Sequence, residues 1–281
     1  MSSLREALHK FDQLTDEHSR RPVPESKTVS GIQIGLLCIG ISITLPGLYS
    51  GGELGQNLGL ADGILASLLG GLILSIMSVP AAIVGVKTRL SSYMVIEHVF
   101  GRHGAKPINL VFGLVLLGWY AVTAELFGRT LFLTAQEYTT LSMPEWQFTI
   151  ASSTLVVATS IFGFKAIDRL AIVAVPLLLL FLVYVAYLSL EHKPVQSYWT
   201  IDKQAIDMSA AISAVVGTMI VNVVLMPDLS RYARTVKNSV TASFLGNGFG
   251  SAISMMLAMV PALAFNELDP MKYMAILGLT G

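Results

Sequence analysis

The side chains best suited to recognising a small molecule stand inside long hydrophobic segments. Trp119 lies in the middle of one segment, where its ring could stack on a flat heterocycle. Asn222 lies deep in another, and its amide both donates and accepts hydrogen bonds. Packing against a neighbouring helix is the alternative for each residue, although tryptophans that anchor membrane proteins usually gather at the interface rather than mid-span. These two residues are the first candidates for a binding site.

Two pairs of opposite charges accompany these segments. Glu125 and Arg129 are four residues apart, with the acid N-terminal as a helical ion pair prefers. Charge at membrane depth is costly and often functional, so this pair predicts either a structural bridge near the outer end or a gate. Asp228 and Arg231 follow a proline at the end of a later segment, where we expect them to cap or tether the helix.

Motifs for enzymatic chemistry are weak. His98 and His103 lack the i, i+4 spacing of a helical zinc site. The glycines of 246–250 lie in an apolar stretch, where they favour close helix packing. The single Cys38 excludes an intramolecular disulfide framework, and a net charge of +0 gives no indication of nucleic-acid binding. We predict neither an enzyme nor a metal or other cofactor.

Composition indicates the class of protein. Hydrophobic residues make up 53% of the 281 residues and charged residues 13%, with a mean hydropathy of +0.67. The apolar residues fall in blocks of about 20, the length of a membrane-spanning helix. The sequence therefore predicts an all-α, polytopic membrane protein. Seven spans and the opening of an eighth are expected at 31–55, 62–86, 107–134, 147–164, 169–190, 208–226, 241–265 and 271–281.

The segments between and before the spans indicate their orientation. Residues 1–28 are polar and predict a cytoplasmic tail ahead of a transmembrane domain at 29–281. They lack the pattern of a cleaved signal peptide. With the N-terminus inside, most of the 18 lysines and arginines fall in cytoplasmic loops, as the positive-inside rule requires. The stretch 90–100 is short and mixed in polarity, which predicts an interfacial helix.

The first hydrophobic segment contains a helix breaker. Pro46 removes a backbone hydrogen bond and Gly47 adds conformational freedom. In hydrocarbon the freed backbone groups survive only beside protein or a wet cavity, and transporters use such breaks to hold ions and substrates. An ordinary proline kink is the alternative. The sixth segment also contains breakers, Gly217-Thr218 and then Pro227, and two interrupted helices five spans apart fit an inverted repeat.

Three stretches together resemble the nucleobase:cation symporter family, the purine-cytosine and hydantoin permeases. They are LPGLYSGGELG at 45–55, GVKTRLSSYMVIEHVFGRHG at 85–104 and MPDLSRYAR at 226–234. The resemblance covers about 30–281. It implies a five-plus-five inverted repeat of the leucine-transporter type, in which the first, third, sixth and eighth helices hold the substrate and transport proceeds by alternating access. Family members have about twelve spans, so we expect the permease domain here to be C-terminally truncated, with an incomplete second repeat.

The resemblance also implies roles for individual residues. Trp119 matches the third-helix tryptophan on which the family stacks its heterocycle. Leu116 stands where cytosine carriers have a glutamine, and Thr123 stands where hydantoin carriers have one. Met219 stands where relatives commonly have an aromatic residue. The resemblance therefore does not identify the substrate. A coupling cation, Na⁺ or H⁺, is expected at backbone groups of the first helix together with hydroxyls from the eighth. The expected substrate-binding residues are Trp119, Gly217, Thr218, Met219, Asn222, Pro46 and Gly47, and the cation-binding residues are Ser42, Ile43 and Thr44.

We therefore predict a permease of the inner membrane that imports cytosine or a related nucleobase with a cation. Its expected partners are the heterocycle and the lipid bilayer, without nucleic acid, and its oligomeric state is not predicted. The alternatives are a carrier of another small heterocycle, such as a hydantoin or a hydroxymethylpyrimidine-like vitamin precursor, and a truncated membrane module that does not transport.

Overall fold

The chain folds as an assembly of helices. The computed structural model describes residues 18, 21–138, 143–160, 164–201 and 205–279. Within these ranges the β pairing is limited to an isolated bridge between Val29 and Ala233, so the predicted all-α class is confirmed. The helices are α1 (Gly31–Ser42), α2 (Leu45–Leu58), α3 (Leu60–Thr88), α4 (Ser92–Tyr138), α5 (Glu145–Ser160), α6 (Phe164–His192), α7 (Met208–Val224), α8 (Met226–Ser230), α9 (Val236–Ser243), α10 (Ser251–Phe265) and α11 (Pro270–Ile276). A π-helical turn at Phe244–Gly250 joins α9 to α10.

Several of these helices have the length and composition of membrane spans. α3, α4, α6 and the continuous run from α9 through α10 are long and apolar enough to cross a bilayer. α1 and α2 together form a fifth candidate span, bent by 62°. α7 is apolar but shorter, and α5 has 16 residues. Each of the seven predicted segments coincides with a helix or a joined helix pair, while the number of spans stays a prediction.

The opening of an eighth span, expected at 271–281, is not seen in the described residues up to 279. α11 begins after Asp269, whose carboxylate accepts the Met271 N–H at 3.1 Å, and it ends at Ile276. Gly278 then adopts a φ of 68°, a left-handed conformation that commonly ends helices. Tyr273 is buried. The apolar residues here therefore reflect a short helix packed back on the protein.

The first span is interrupted two residues before Pro46, the residue at which the sequence predicts the break. α1 ends at Ser42, and the backbone is then non-helical at Ile43 (φ −89°, ψ 69°) and extended at Thr44 (φ −117°, ψ 153°). Pro46 lies in the first turn of α2, where its missing N–H would have had no helical partner. The proline therefore starts the second half of the span, and the unwound residues precede it.

The predicted break at Gly217-Thr218 is wrong. α7 runs without interruption from Met208 to Val224, and the helix changes only at Leu225, just before Pro227. A glycine inside a helix costs about 1 kcal/mol relative to alanine, whereas an unpaired backbone group in hydrocarbon costs several. Without a proline at this point, the helical hydrogen bonds persist through the glycine.

Close backbone packing fixes the second half of the first span. A Cβ atom on Gly51 of α2 would lie 2.6 Å from the Met255 carbonyl oxygen and 2.8 Å from its Cα. Real side chains do not approach backbone atoms this closely, so glycine is needed for α2 to contact α10 here. This contact sets where α2, and hence the interruption before it, lies relative to the rest of the bundle.

The C-terminal end of the sixth segment is held by side-chain to backbone bonds. The Asp228 carboxylate accepts the Ser92 N–H at 3.2 Å. Arg231 is buried, and its guanidinium donates to the carbonyl oxygens of Asp228 and His18, both at 3.2 Å. These bonds join α8 to the start of α4 and to the N-terminal segment. In the structure, Asp228 and Arg231 thus face backbone partners rather than each other's charged groups.

Candidate functional site

The interruption between α1 and α2 is enclosed by hydroxyl groups. The Ser42 hydroxyl donates to the carbonyl oxygens of Cys38 (3.1 Å) and Gly246 (3.4 Å). The Ser42 carbonyl, which has lost its helical partner, accepts the Ser254 hydroxyl of α10 at 3.2 Å. This contact satisfies a carbonyl that would otherwise be costly to bury. Ser254 was not among the predicted site residues, because nothing in its local sequence distinguishes it from other serines.

Thr44 carries the one unsatisfied hydroxyl described at the interruption. Its Oγ1 atom is buried and has no hydrogen-bond partner among the described residues. Gly47 lies beside it: a Cβ atom there would be 3.4 Å from Thr44 Oγ1 and 3.1 Å from the Ser42 carbonyl oxygen. Buried polar atoms are nearly always paired. An unpaired hydroxyl next to a non-helical backbone is therefore a candidate ligand group.

α7 contacts α2 at the same level. The Ser50 and Thr218 hydroxyls lie 3.3 Å apart. Met219 is buried, and its Cε would be 2.7 Å from a Cβ on Gly47, so this glycine makes room for the methionine. The structure thus places Met219 against Gly47 and Thr218 against Ser50, three residues further along α2.

Two other predicted site residues of α7 lie at the edge of this contact. The Asn222 amide is half-buried and donates to the Met219 sulfur at 3.7 Å. The sulfur is only a weak acceptor for this amide. Gly217 is exposed, and a Cβ atom on it would meet nothing within 4 Å. Gly217 therefore does not join the cluster around Gly47.

α4 presents two different faces to the protein. One face packs on α5: the Tyr120 hydroxyl donates to the Ser153 carbonyl (3.0 Å), and the Phe132 and Phe148 rings meet edge to face at 5.7 Å. The adjacent face bears Leu126, Thr130 and Leu133, which line a small cavity with residues of α2. The second face is the one directed toward the interrupted helix.

Trp119 belongs to the face of α4 directed toward α2. It precedes Leu126 by seven residues, two helical turns or about 10 Å along the axis, and residues at that spacing share a face. Its side chain is half-buried. The Thr123 hydroxyl, at the position where a glutamine was considered, donates to the Trp119 carbonyl at 2.9 Å and is therefore already paired within α4.

The predicted Glu125–Arg129 ion pair is wrong. Arg129 Nη2 lies 3.3 Å from Asp269 Oδ2 instead, and Glu125 is exposed. A helical i, i+4 pair contributes only a few tenths of a kcal/mol, whereas the Asp269 carboxylate is buried and fixed in place as the N-cap of α11. Asp269 could have been noticed in the sequence, because Asp followed by Pro is a helix-start signal.

The Arg129–Asp269 pair covers one end of the space between α2 and α4. With Leu45 and Tyr49 of α2 the two residues line a cavity of about 10 Å³, room for about one water molecule. The pair therefore connects α4 to the segment before α11 above the face that carries Trp119. Breaking it would uncouple these elements at this end.

We expect Asp269→Asn to expose this cavity. The test is the rate at which a membrane-impermeant thiol reagent labels Thr130→Cys in a Cys38→Ala background. The Arg129 side chain is 48% exposed, and an exposed ion pair contributes at most about 1 kcal/mol, so labelling should rise by up to about fivefold.

The control is Lys272→Gln, which breaks the neighbouring Lys272–Glu267 pair (3.0 Å). The hydrogen bond from the Asp269 N–H, together with that from the Lys272 ammonium, holds the pKa of Glu267 below its usual range. Equal labelling in both variants would contradict a closing role for Arg129–Asp269.

Comparison with known proteins places this architecture in a family. Residues 22–277 match the family model described as permease for cytosine/purines, uracil, thiamine, allantoin. The cytosine permease of Escherichia coli K12 is 28% identical over 252 residues, covering 86% of this chain and 58% of the relative. A purine-uracil permease of Arabidopsis thaliana is 31% identical over 122 residues, 43% of this chain and 20% of the relative. The chain thus spans little more than half the length of the E. coli protein.

A solved structure shares the fold. Mhp1, a nucleobase-cation-symport-1 family transporter in a closed conformation with bromovinylhydantoin bound, superposes with a TM-score of 0.84 at 18% identity, over 92% of this chain and 61% of Mhp1. The inward-facing conformation of Mhp1 gives a TM-score of 0.79. This agreement confirms the predicted fold class. With its long apolar helices and a family model that matches nearly its whole length, the chain is a multi-pass membrane protein and belongs to the family of permeases for cytosine, purines, uracil, thiamine and allantoin.

Proposed function

We propose that this protein takes part in the import of cytosine or a related nucleobase across the inner membrane, coupled to a cation and by alternating access, with its N-terminus in the cytoplasm. The observation that carries the proposal is the interrupted first span, whose second half meets Met219 of α7 at Gly47 and Thr218 at Ser50. Family membership makes a substrate site the favoured interpretation of this buried, irregular backbone. The relatives named for cytosine and for purine and uracil support the substrate class.

Each site residue then has a role that follows from its chemistry. The Trp119 ring supplies a flat surface for stacking, on the face of α4 directed toward α2. The Asn222 amide reads the polar edge of the heterocycle. Met219 packs on Gly47 and supplies a polarizable, adaptable contact. Pro46 fixes the start of α2, and so the direction of the backbone that leaves the interruption.

The coupling cation is proposed to bind at the same interruption. Backbone carbonyls at Ser42 and Ile43 and the Thr44 hydroxyl are oxygen ligands, the type that Na⁺ prefers. The buried, unpaired state of Thr44 Oγ1 supports this assignment. A sodium ion would be coordinated by all of these oxygens, so it would require the Thr44 hydroxyl. A proton would bind to a titratable group, so it would not require Thr44.

Replacing Thr44 with valine provides a test of the cation proposal. Valine keeps the shape of the side chain and removes a buried hydroxyl that has no partner. Such a hydroxyl costs about 1–3 kcal/mol, so we expect Thr44→Val to raise the melting temperature in sodium-free buffer. Stabilisation by added NaCl relative to choline chloride should be lost. Thr123→Val, which removes a paired hydroxyl, should keep the sodium effect. A sodium effect of the same size in Thr44→Val would exclude Thr44 as a ligand.

A different heterocycle is the second candidate substrate. Leu116 and Thr123 lack the amides considered for cytosine and hydantoin recognition, and Thr123 is already paired within its helix. The site therefore offers less polar recognition on α4 than either class of carrier would use. A hydantoin or a hydroxymethylpyrimidine-like compound fits a site that depends more on stacking and on Asn222.

Equilibrium binding distinguishes these substrates. The experiment measures displacement of labelled cytosine from the purified protein in detergent by unlabelled cytosine, uracil, adenine, a benzylhydantoin and hydroxymethylpyrimidine, each with and without sodium. Displacement by cytosine at the lowest concentration supports the first candidate, and preferential displacement by another ring supports the second. If this chain and any longer form of its reading frame bind none of these compounds, the proposed function is excluded and a non-transporting membrane module is favoured.

A further inference from the structure

α4 is too long to lie wholly within a membrane. It contains 47 residues, about 70 Å of straight helix at 1.5 Å per residue. The hydrocarbon core and both headgroup layers together measure about 40–45 Å. Counted back from Tyr138, about 30 residues cross that thickness, so the crossing ends close to Asn109. The first part of α4 must therefore lie in or beyond one headgroup layer.

A bend in α4 falls about eight residues before this boundary, roughly 12 Å of helix. Gly101 has a φ of 68° and a ψ of 168°, which separates a helix at 92–100 from the helix that follows. This agrees with the predicted short helix at 90–100. A Cβ atom on Gly101 would meet nothing within 4 Å, so the space beside Gly101 itself is open, although Ala105 in the following turn is buried.

Apolar side chains are exposed at the bend. Val99 is 70% exposed and Phe100 59% exposed. Exposing two large apolar side chains at the end of a helix to water would be unfavourable. They are favourable if they insert among lipid acyl chains, as in helices that lie at a membrane surface.

Basic residues follow immediately. Arg102, His103 and Lys106 are all exposed, and neither ion pair described elsewhere in the chain involves them. The nearest acidic residue in the sequence is Glu97, which is half-buried. Basic groups beside exposed apolar groups match an anionic lipid headgroup with its acyl chains. The basic groups therefore indicate an anionic lipid, which the exposed apolar groups alone would not.

We propose that the bend from Val99 to Lys106 is a binding site for anionic phospholipid. Phe100 and Val99 contact the acyl chains, while Arg102 and Lys106 bind the phosphate of the headgroup. The site is separate from the heterocycle site and does not depend on whether the protein transports. Its failure and the failure of the proposed function would thus be distinguished by different measurements.

The test compares lipid retention by the purified chain. Dioleoylphosphatidylglycerol or dioleoylphosphatidylcholine is added to the detergent-solubilised protein, retained lipid is counted by native mass spectrometry, and the melting temperature is measured in parallel. Wild type should retain several-fold more phosphatidylglycerol than phosphatidylcholine and should be stabilised by the former. Arg102→Gln/Lys106→Gln should retain the two lipids equally. The control Arg234→Gln/Lys237→Gln removes two exposed cations elsewhere and should behave as wild type.

Four results would overturn the proposal. Equal retention of the two lipids by wild type would show that the headgroup is not recognised. An equal loss in both double variants would show a general effect of charge. Stabilisation by inorganic phosphate alone would indicate an anion site rather than a lipid site. If a longer form of the reading frame retained no phosphatidylglycerol, a protein segment, not lipid, would cover the bend. Phe100→Ser keeps the cations and should weaken retention of phosphatidylglycerol without affecting folding, because its ring is exposed.

Discussion

Trp119→Ala is expected to weaken heterocycle binding by about 5- to 150-fold, the range that corresponds to about 1–3 kcal/mol for stacking on an aromatic side chain. The reason is geometric: Trp119 shares a helical face with Leu126 and Thr130, which meet α2 beside the interruption. Alanine removes the ring and keeps the helix. The measurement is the dissociation constant for labelled cytosine, or for whichever heterocycle displaces it best.

Two control variants separate stacking from folding. Trp119→Phe keeps a smaller aromatic face and should retain much of the affinity. Trp146→Ala removes a tryptophan that is 60% exposed on α5 and should change the dissociation constant little. Unchanged affinity in Trp119→Ala, with the protein present in the membrane at wild-type level, would remove Trp119 from the site.

Gly51→Val is expected to cause a large loss of stability. A Cβ at this position would overlap the Met255 carbonyl oxygen at 2.6 Å and its Cα at 2.8 Å. Backbone atoms of α10 cannot rotate away as the end of a side chain does. Overpacking of this kind costs about 1–3 kcal/mol and occasionally more. The measurement is the melting temperature of the purified protein together with its yield from membranes.

Gly113→Val is the matched control for this packing contact. Gly113 is also a helical glycine, but a Cβ atom there would meet nothing within 4 Å. Its valine variant should melt close to wild type. Equal melting temperatures for Gly51→Val and Gly113→Val would contradict the close approach of α2 and α10, and with it the position of the interrupted helix.

The helices and the interruption of the first span could be predicted because their causes are local. Runs of apolar residues of bilayer length predict spans, and a proline in such a run predicts a break. The structure places the break at Ile43 and Thr44, since a proline is tolerated in the first turn of the helix it begins. The short helix before Gly101 was also predictable from its length and mixed polarity.

The partners of the site residues could not be predicted, because they depend on tertiary packing. Arg129 has a potential partner four residues away in sequence, yet it pairs with Asp269, which lies far along the chain. The Ser42 carbonyl is satisfied by Ser254 and the Thr218 hydroxyl by Ser50. None of these serines has a distinctive local sequence. The predicted break at Gly217 was wrong for a different reason. In hydrocarbon the backbone hydrogen bonds of a helix have no competing partner, so a glycine alone does not interrupt it.

The most direct test of the proposed function is uptake of labelled cytosine by cells that lack their own nucleobase carriers. The cells would express this chain or any longer form of its reading frame, with Trp119→Ala as the comparison, in sodium and in choline buffer. The account predicts saturable uptake that excess unlabelled cytosine abolishes, that requires a cation gradient, and that Trp119→Ala reduces. Uptake of the same size in Trp119→Ala would contradict it. So would the absence of uptake of every heterocycle in the binding panel, by every form of the protein, despite protein in the membrane.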